Sequence, residues 1–379
     1  MKKHSSSVPS IPARVRVVLR APPAGISMGI FSSRPYDAPA DVPSRHFPAF
    51  LDRLPGLKGK VVVVTGTTTG TGFVAALTCA RKGAIVVCLN RPSARADAAV
   101  ARIRDAASSS SDGEGGDVKV RSIDCDLRSF ESVRSAAAAV RASFGTTGVD
   151  VLVNNAGVMA LADLATSDGY DVQMQTNHLS HFLLVKELMP LLEKAAAAKG
   201  EARVVHHSSI ARFGGPLRSE YFGKNGGRLG GDGNSMLLGG ARWERYHQTK
   251  LANAAFTVEL AARLAAAGSK VKAVVAAPGA ASTNLQVTTY MNDGMPLASV
   301  FMSTFAQSAE DGSMPLLTCV AADGVENGAF YEPRGFLRCK GLPKRFTLER
   351  NARNEKARKM LWAESEKACG EFKLEGGAS

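Results

Sequence analysis

Val61-Val62-Val63-Val64-Thr65-Gly66-Thr67-Thr68-Thr69-Gly70-Thr71-Gly72 is the stretch that decides the fold. Four consecutive β-branched residues read as a strand buried on both faces of a parallel sheet. The glycines follow at once, and Phe73–Lys82 continues in a helical pattern closed by Gly83. The glycine spacing is Gly-x3-Gly-x-Gly, and each glycine has its own physical reason. Gly66 permits a tight turn off the strand. Gly70 removes a β-carbon that would obstruct a pyrophosphate. Gly72 lets the next helix pack close to the sheet, its N-terminus aimed at the phosphates.

The same alternation runs outward from this unit. Ala84–Leu89, Val118–Ile123, Val149–Val153, Arg203–His207 and Val271–Ala276 read as further strands, with Gly328–Tyr331 as a short edge strand. Helical patterns cover 93–107, 129–144, 167–193 and Tyr246–Ala266, and the Ser- and Gly-rich Ser108–Asp117 is a surface loop. Strands alternating with helices predict an α/β fold, a doubly wound parallel sheet of Rossmann type. We expect one such domain over 58–379, preceded by an N-terminal extension, 1–57.

Composition bounds the function. The chain has 379 residues, 45% of them hydrophobic, enough for a full core. No stretch approaches the roughly 20 apolar residues that span a bilayer. The net charge of +13 sits at two places: residues 1–46 carry seven Lys/Arg against two Asp, and 333–360 ten against two Glu. No aromatic-studded basic stripe accompanies them, so nucleic acid is not expected as a partner. A solvated surface or peripheral contact with an anionic membrane fits this distribution better. The six cysteines show no metal spacing, and Cys79, Cys88 and Cys125, in or beside apolar patterns, read as buried reduced thiols. His178, His181, His206 and His207 lack a completing carboxylate and read as packing residues, so no metal is expected.

Residues 1–36 hold no Asp or Glu, but four Arg, seven Ser and five Pro. Three readings stay open: an organelle transit peptide, with a plastid or mitochondrial destination; an initiator at Met28 exposing Gly29 to myristoylation; and plain disorder with a cytoplasmic protein. Residues 37–57 read as a strap on the folded domain.

The end of the second strand selects the cofactor. A carboxylate there would hold a ribose 2′-hydroxyl, but the sequence is Leu89-Asn90-Arg91. Arg91 suits a 2′-phosphate, so NADP(H) is expected. Asp126-Leu127 follows strand three beside the adenine, and Asn154–Gly157 lets backbone run along the ribose.

Tyr246-His247-Gln248-Thr249-Lys250 puts a phenol and an ammonium one helical turn apart. A tyrosine of pKa near 10 is a poor base until a cation stabilises its phenolate. Tyr-x3-Lys alone occurs by chance in many helices; its company gives it meaning. Ser208-Ser209 ends strand five, where a hydroxyl can hold a substrate oxygen. Asn177 on the long helix is placed to anchor a proton-relaying water.

These motifs together resemble the short-chain dehydrogenase/reductase family, from about Lys58 to Cys369. Thr65–Gly72, Thr68 included, resembles its cofactor loop. Asn154-Asn155-Ala156-Gly157 resembles a further family segment, and Pro278-Gly279 with Thr283 its turn near the nicotinamide carboxamide. The resemblance implies Tyr246 as acid/base, Lys250 as activator, Ser209 as substrate-oxygen ligand and Asn177 as relay. Ser209 is preferred to Ser208 by its spacing to Ile210-Ala211. Thr176–Leu184, Tyr246–Asn253 and Leu361–Lys367 resemble the retinol dehydrogenase and protochlorophyllide reductase-like branch. Hydride transfer between NADP(H) and the carbonyl or alcohol of a lipophilic small molecule is the function implied. The alternatives are a double-bond reductase of protochlorophyllide type and a non-catalytic NADP-sensing protein. Gly279-Ala280-Ala281 lacks the cysteine of the light-driven reductases.

Ser209 and Tyr246 lie 37 residues apart, longer than in most members. The Gly-rich insert, 212–241, reads as an active-site flap. Residues 285–306, rich in Met and Phe, read as a substrate lid, or equally as an amphipathic helix or a contact within a homo-oligomer.

Overall fold

The computed structural model describes residues 42–108, 120–233, 240–280 and 307–374. All of them lie in one compact unit, Ala38–Ser379. The targeting readings of 1–36, Thr283 and the expected lid fall outside the described residues.

Eight strands form one sheet: β1 (Val61–Thr65), β2 (Ile85–Asn90), β3 (Val120–Asp124), β4 (Val151–Asn154), β5 (Ala202–His207), β6 (Val271–Ala276), β7 (Phe330–Pro333) and β8 (Pro343–Phe346). Their order is β3-β2-β1-β4-β5-β6-β7-β8, so the chain reverses direction across the sheet between β1 and β4. All neighbours are parallel except β7 and β8. The expected doubly wound α/β architecture is therefore present. A crevice opens at the carboxyl ends of strands flanking such a reversal.

β1 shows why the valine run carries the fold. Side chains alternate across a strand, so Val61 and Val63 enter one core while Val62 and Val64 enter the other. The helices begin, in chain order, with α1 (Phe47–Arg53), α2 (Gly70–Arg81), α3 (Ala94–Ser108), α4 (Phe130–Phe144) and α5 (Val172–Met174). α5 runs through a π turn (Gln175–Leu179) into α6 (Ser180–Lys199). Then come α7 (Ala241–Ala266), α8 (Ala309–Ala321), α9 (Arg350–Arg353) and α10 (Glu355–Cys369). The N-terminal segment is fastened to α8: the Asp311 carboxylate accepts from Ser44 Oγ and the backbone N–H groups of Arg45, His46 and Phe47 at 2.9–3.1 Å.

Several boundaries differ from the sequence reading. The helix expected from 167 starts at Val172, because Asp171 caps it, accepting from Gln173 N and Met174 N. It continues past 193 through an alanine run to Lys199, where Gly200 at φ 91° ends it. α2 begins at Gly70 and α7 at Ala241, each earlier than the apolar pattern suggested. β7 is not an edge strand, because β8 pairs with it antiparallel. Pro343-Lys344-Arg345-Phe346 carries no apolar alternation, as suits a strand exposed at the sheet's edge.

Candidate functional site

The turn after β1 is built for close approach. Gly66 and Gly70 hold φ of 73° and 62°. A β-carbon on Gly72 would lie 2.2 Å from both the Gly66 carbonyl oxygen and the Asn155 amide nitrogen. The first turn of α2 thus packs on its own loop and on the segment after β4, a tighter neighbour than the sheet expected for Gly72. Thr65 Oγ1 accepts from Asn155 N and Ala156 N, both at 3.0 Å. Asn155 Nδ2 returns to the carbonyls of Thr65 and Gly66. Asn90, at the end of β2, grips the loop from the other side: its Oδ1 accepts from Thr67 N and its Nδ2 donates to Thr67 Oγ1, each at 2.8 Å. Thr68 is half-buried in this turn. Sequence reading missed Thr65, Asn90 and Asn155 as fasteners; short polar residues at strand ends are the signal that marks them.

Arg91 stands exposed beyond β2. Asp126 lies near enough to feel its charge, but its carboxylate is held chiefly by Arg128, 2.7 Å away, which keeps it below the usual carboxylate range. Leu127 is buried and its carbonyl accepts from Ser180 Oγ at 2.6 Å. Asn154 is buried, its amide meeting His206 Nε2 at 3.1 Å. Its side chain therefore faces the core, and only its backbone can line the crevice.

α7 carries Tyr246 and Lys250 on one face, with the Lys250 ammonium 5.8 Å from the centre of the phenol ring. Burial lowers the lysine from 10.5 to about 8, and its Nζ donates to the His207 carbonyl at 3.1 Å. Gly157 comes down between this lysine and Asn177: a β-carbon there would sit 3.4 Å from Nζ and 3.2 Å from Asn177 Oδ1. Asn177 lies in the π turn, whose extra residue in the helical repeat is a local distortion common at functional sites. Its Oδ1 accepts from Val158 N, and its Nδ2 donates to Val158 O and Thr249 Oγ1, all within 2.8–2.9 Å. The asparagine thus ties β4's exit to α7.

The two serines after β5 separate cleanly. Ser208 is buried and its hydroxyl donates to the Lys250 carbonyl at 2.7 Å. Ser209 is partly exposed and heads a 3-10 turn, Ile210–Phe213, accepting from Ala211 N at 3.3 Å. Its hydroxyl hydrogen can still be given to another acceptor. Ala211 in that turn packs with Met159, Ala160, Trp243 and Tyr246. Trp243 meets the Tyr246 ring edge-on at 6.1 Å. Ala160 holds φ 48°, uncommon for a residue with a β-carbon, in this same wall.

The Pro278-Gly279 turn leaves β6 and closes on the β7–β8 connection, where Ala280 N donates to the Cys339 carbonyl at 2.8 Å. The four buried histidines all bond protein groups: His178 with Ser365, His181 with Thr65 and the Asn177 carbonyl, His206 with Asn154 and Thr257, and His207 with Asn155. Burial pushes each below its ordinary pKa, to about 3 for His178 and His207 and about 4 for His181. Among the described residues no cluster of His, Cys, Asp or Glu could hold a metal ion. All six cysteines are unpaired thiols.

Part of the insert is fastened rather than loose. Asp163 accepts from the backbone N–H groups of Gly227, Leu229 and Gly231, and Arg245 donates to the carbonyls of Leu229 and Gly231. Residues 234–239 lie outside the described residues.

Comparison with known proteins gives the following. The family model described as "short chain dehydrogenase" matches residues 60–222. An uncharacterized oxidoreductase of Schizosaccharomyces pombe is 37% identical over 236 residues, 61% of this chain and 63% of that protein. Retinol dehydrogenase 12 of Mus musculus is 32% identical over 311 residues, 81% of this chain and 85% of its own. The crystal structure of an uncharacterized protein from Mycobacterium paratuberculosis superposes with a TM-score of 0.63 at 32% identity, covering 86% of this chain and 98% of the other.

Proposed function

Since this chain belongs to the short-chain dehydrogenase/reductase family of oxidoreductases, in its retinol dehydrogenase-like branch, we propose that it transfers hydride between NADP(H) and the carbonyl or alcohol of a lipophilic small molecule. The observation that carries the reading is the Lys250 ammonium 5.8 Å from the centre of the Tyr246 ring on α7, with Gly157 leaving room beside the lysine.

The residues present fit a nicotinamide dinucleotide. The close-packed turn at Gly66–Gly72 offers backbone N–H groups and the N-terminus of α2 to a pyrophosphate. The exits of β3 and β4, at Asp126-Leu127 and at Asn154, Ala156 and Gly157, would line adenine and ribose. Pro278 and Gly279, with Thr283 beyond them, would take the carboxamide side. Arg91 at the end of β2, without a neighbouring carboxylate on that strand end, supports NADP(H). When bound, the cofactor supplies or accepts the hydride.

The chain's own residues handle the oxygen and the proton. Ser209 donates a hydrogen bond to the substrate oxygen and Tyr246 gives or takes its proton. Lys250 holds a positive charge beside the phenol ring, 5.8 Å from its centre. Asn177 fixes the backbone of Val158 and, through Thr249, the pitch of α7. Its relay role requires the remaining lone pair of Oδ1. Met159, Ala160 and Trp243 give the substrate side an apolar wall, which supports a bulky lipophilic carbonyl, as does the name of the retinol dehydrogenase relatives.

The test is oxidation of NADPH and of NADH by the purified chain across retinaldehydes, medium-chain aldehydes and aromatic ketones. Turnover with NADPH and an apolar aldehyde supports the reading. Absence of turnover with every carbonyl, in both directions, overturns it.

A further inference from the structure

Arg212 lies three residues past Ser209, and its side chain is completely buried. The nitrogens of its guanidinium are matched to acceptors on three separate segments. NH1 donates to the Ser209 carbonyl at 3.0 Å, and NH2 to Glu332 Oε2 on β7 at 2.7 Å. Nε and NH2 form a fork on Glu349, at 3.0 and 2.9 Å. The rings of Phe213 and Phe330 cover it, each 4.5 Å from the guanidinium carbon.

Glu332 joins this arrangement to a second part of the crevice. The same Oε2 accepts from Arg338 NH1 at 2.8 Å. The next carbonyl, that of Cys339, takes the N–H of Ala280 and lies where a β-carbon of Gly279 would come within 2.3 Å of it. One buried carboxylate therefore indexes both the serine turn and the segment leaving β6.

We infer that Arg212, held by Glu332, is a positioning residue: it sets the peptide plane after Ser209 and so aims the serine hydroxyl at the substrate oxygen, in register with the Pro278–Ala280 turn. The inference rests on the role proposed above for Ser209. As a stability device the cluster is poor. Glu332 Oε1 is buried without a hydrogen-bond partner among the described residues, and apolar groups of equal volume usually stabilise a core as well as a buried ion pair does. What the fork adds is direction, and a hydroxyl misplaced by about 1 Å can lose on the order of a hundredfold in rate.

The test uses Arg212→Lys, which keeps the charge and loses the fork, and Glu332→Gln, each in the wild-type and Ser209→Ala backgrounds. Melting temperature, NADPH affinity by fluorescence, and turnover of a carbonyl used by the wild type are measured. Each single change is expected to lower kcat about tenfold or more with NADPH affinity within about twofold. In the Ser209→Ala background neither should cause a further loss, because the group being aimed is gone. Multiplicative losses in that background overturn the inference, as does unaltered kcat in a folded Arg212→Lys. If Arg212→Lys does not fold, Glu332→Gln gives the same reading. An active wild type with multiplicative losses sinks only the positioning role; a wild type without turnover sinks the functional reading as well.

Discussion

Lys250 Nζ donates to the carbonyl oxygen of His207 at 3.1 Å, bringing α7 against the end of β5. The lysine is buried deeply enough to fall from 10.5 to about 8. The protein therefore holds an ammonium where burial disfavours its charge, a cost that the proposed role beside Tyr246 would account for.

That conflict has a sign. The folded chain binds this proton less tightly than the unfolded chain does. Its burial therefore opposes folding below about pH 8, and the penalty fades as pH rises towards 10.5. The shift corresponds to on the order of 3 kcal/mol. Lys250→Met should abolish turnover yet melt at or above the wild-type temperature at pH 7, without cofactor. A variant several degrees less stable would contradict this.

The four buried histidines set the acid limit. Each has its folded pKa below the usual 6.5, so the stability they contribute as neutral groups is lost as pH falls below 6.5 towards their folded values. By about pH 5 His178, His181 and His207 should each remove on the order of 2 kcal/mol, and His206 acts in the same direction. Asp171, raised to about 6 mainly by burial, works in the opposite direction and offsets only part. Circular dichroism should show cooperative unfolding between about pH 6 and 4. Unchanged spectra at pH 4 would refute this account.

Arg91 is expected to choose between cofactors. Arg91→Glu should weaken NADPH binding by about ten- to a hundredfold, the value of a charged hydrogen bond and its removal, while NADH loses little. Equal losses for both would assign Arg91 to the surface alone.

Gly72→Ala tests the close-packed turn. Its β-carbon would collide with the Gly66 carbonyl and the Asn155 amide, both within 2.2 Å, and neither can withdraw without moving the loop. Overpacking of this kind costs about 1–3 kcal/mol. The melting temperature should fall by several degrees, and NADPH affinity should fall with it.

Much of this was legible in the sequence because the determining signals are local. The run Val61–Val64, the glycines behind it and the Tyr246/Lys250 spacing each fix a strand, a turn or a helix face within a few residues. Ser208 and Ser209 were separable only by resemblance; the structure distinguishes them by the bond from Ser208 to the Lys250 carbonyl. The start of the long helix was misplaced because its cap, Asp171, follows a turn of mixed polarity with no apolar period. β8 escaped notice because an exposed edge strand needs no apolar alternation. The partners of Thr65, Asn90, Asn155 and Arg212 were not legible because they lie about 20 to 120 residues away. Such pairings are products of topology: short polar residues at strand ends mark Thr65, Asn90 and Asn155 as candidates but do not name their partners.

Tyr246→Phe is the decisive measurement. The phenylalanine keeps the ring against Trp243 and removes only the hydroxyl. Turnover of any carbonyl accepted by the wild type should fall by about a thousandfold or more, with NADPH affinity and melting temperature essentially unaltered. Turnover within about twofold of the wild type would contradict the account at its centre.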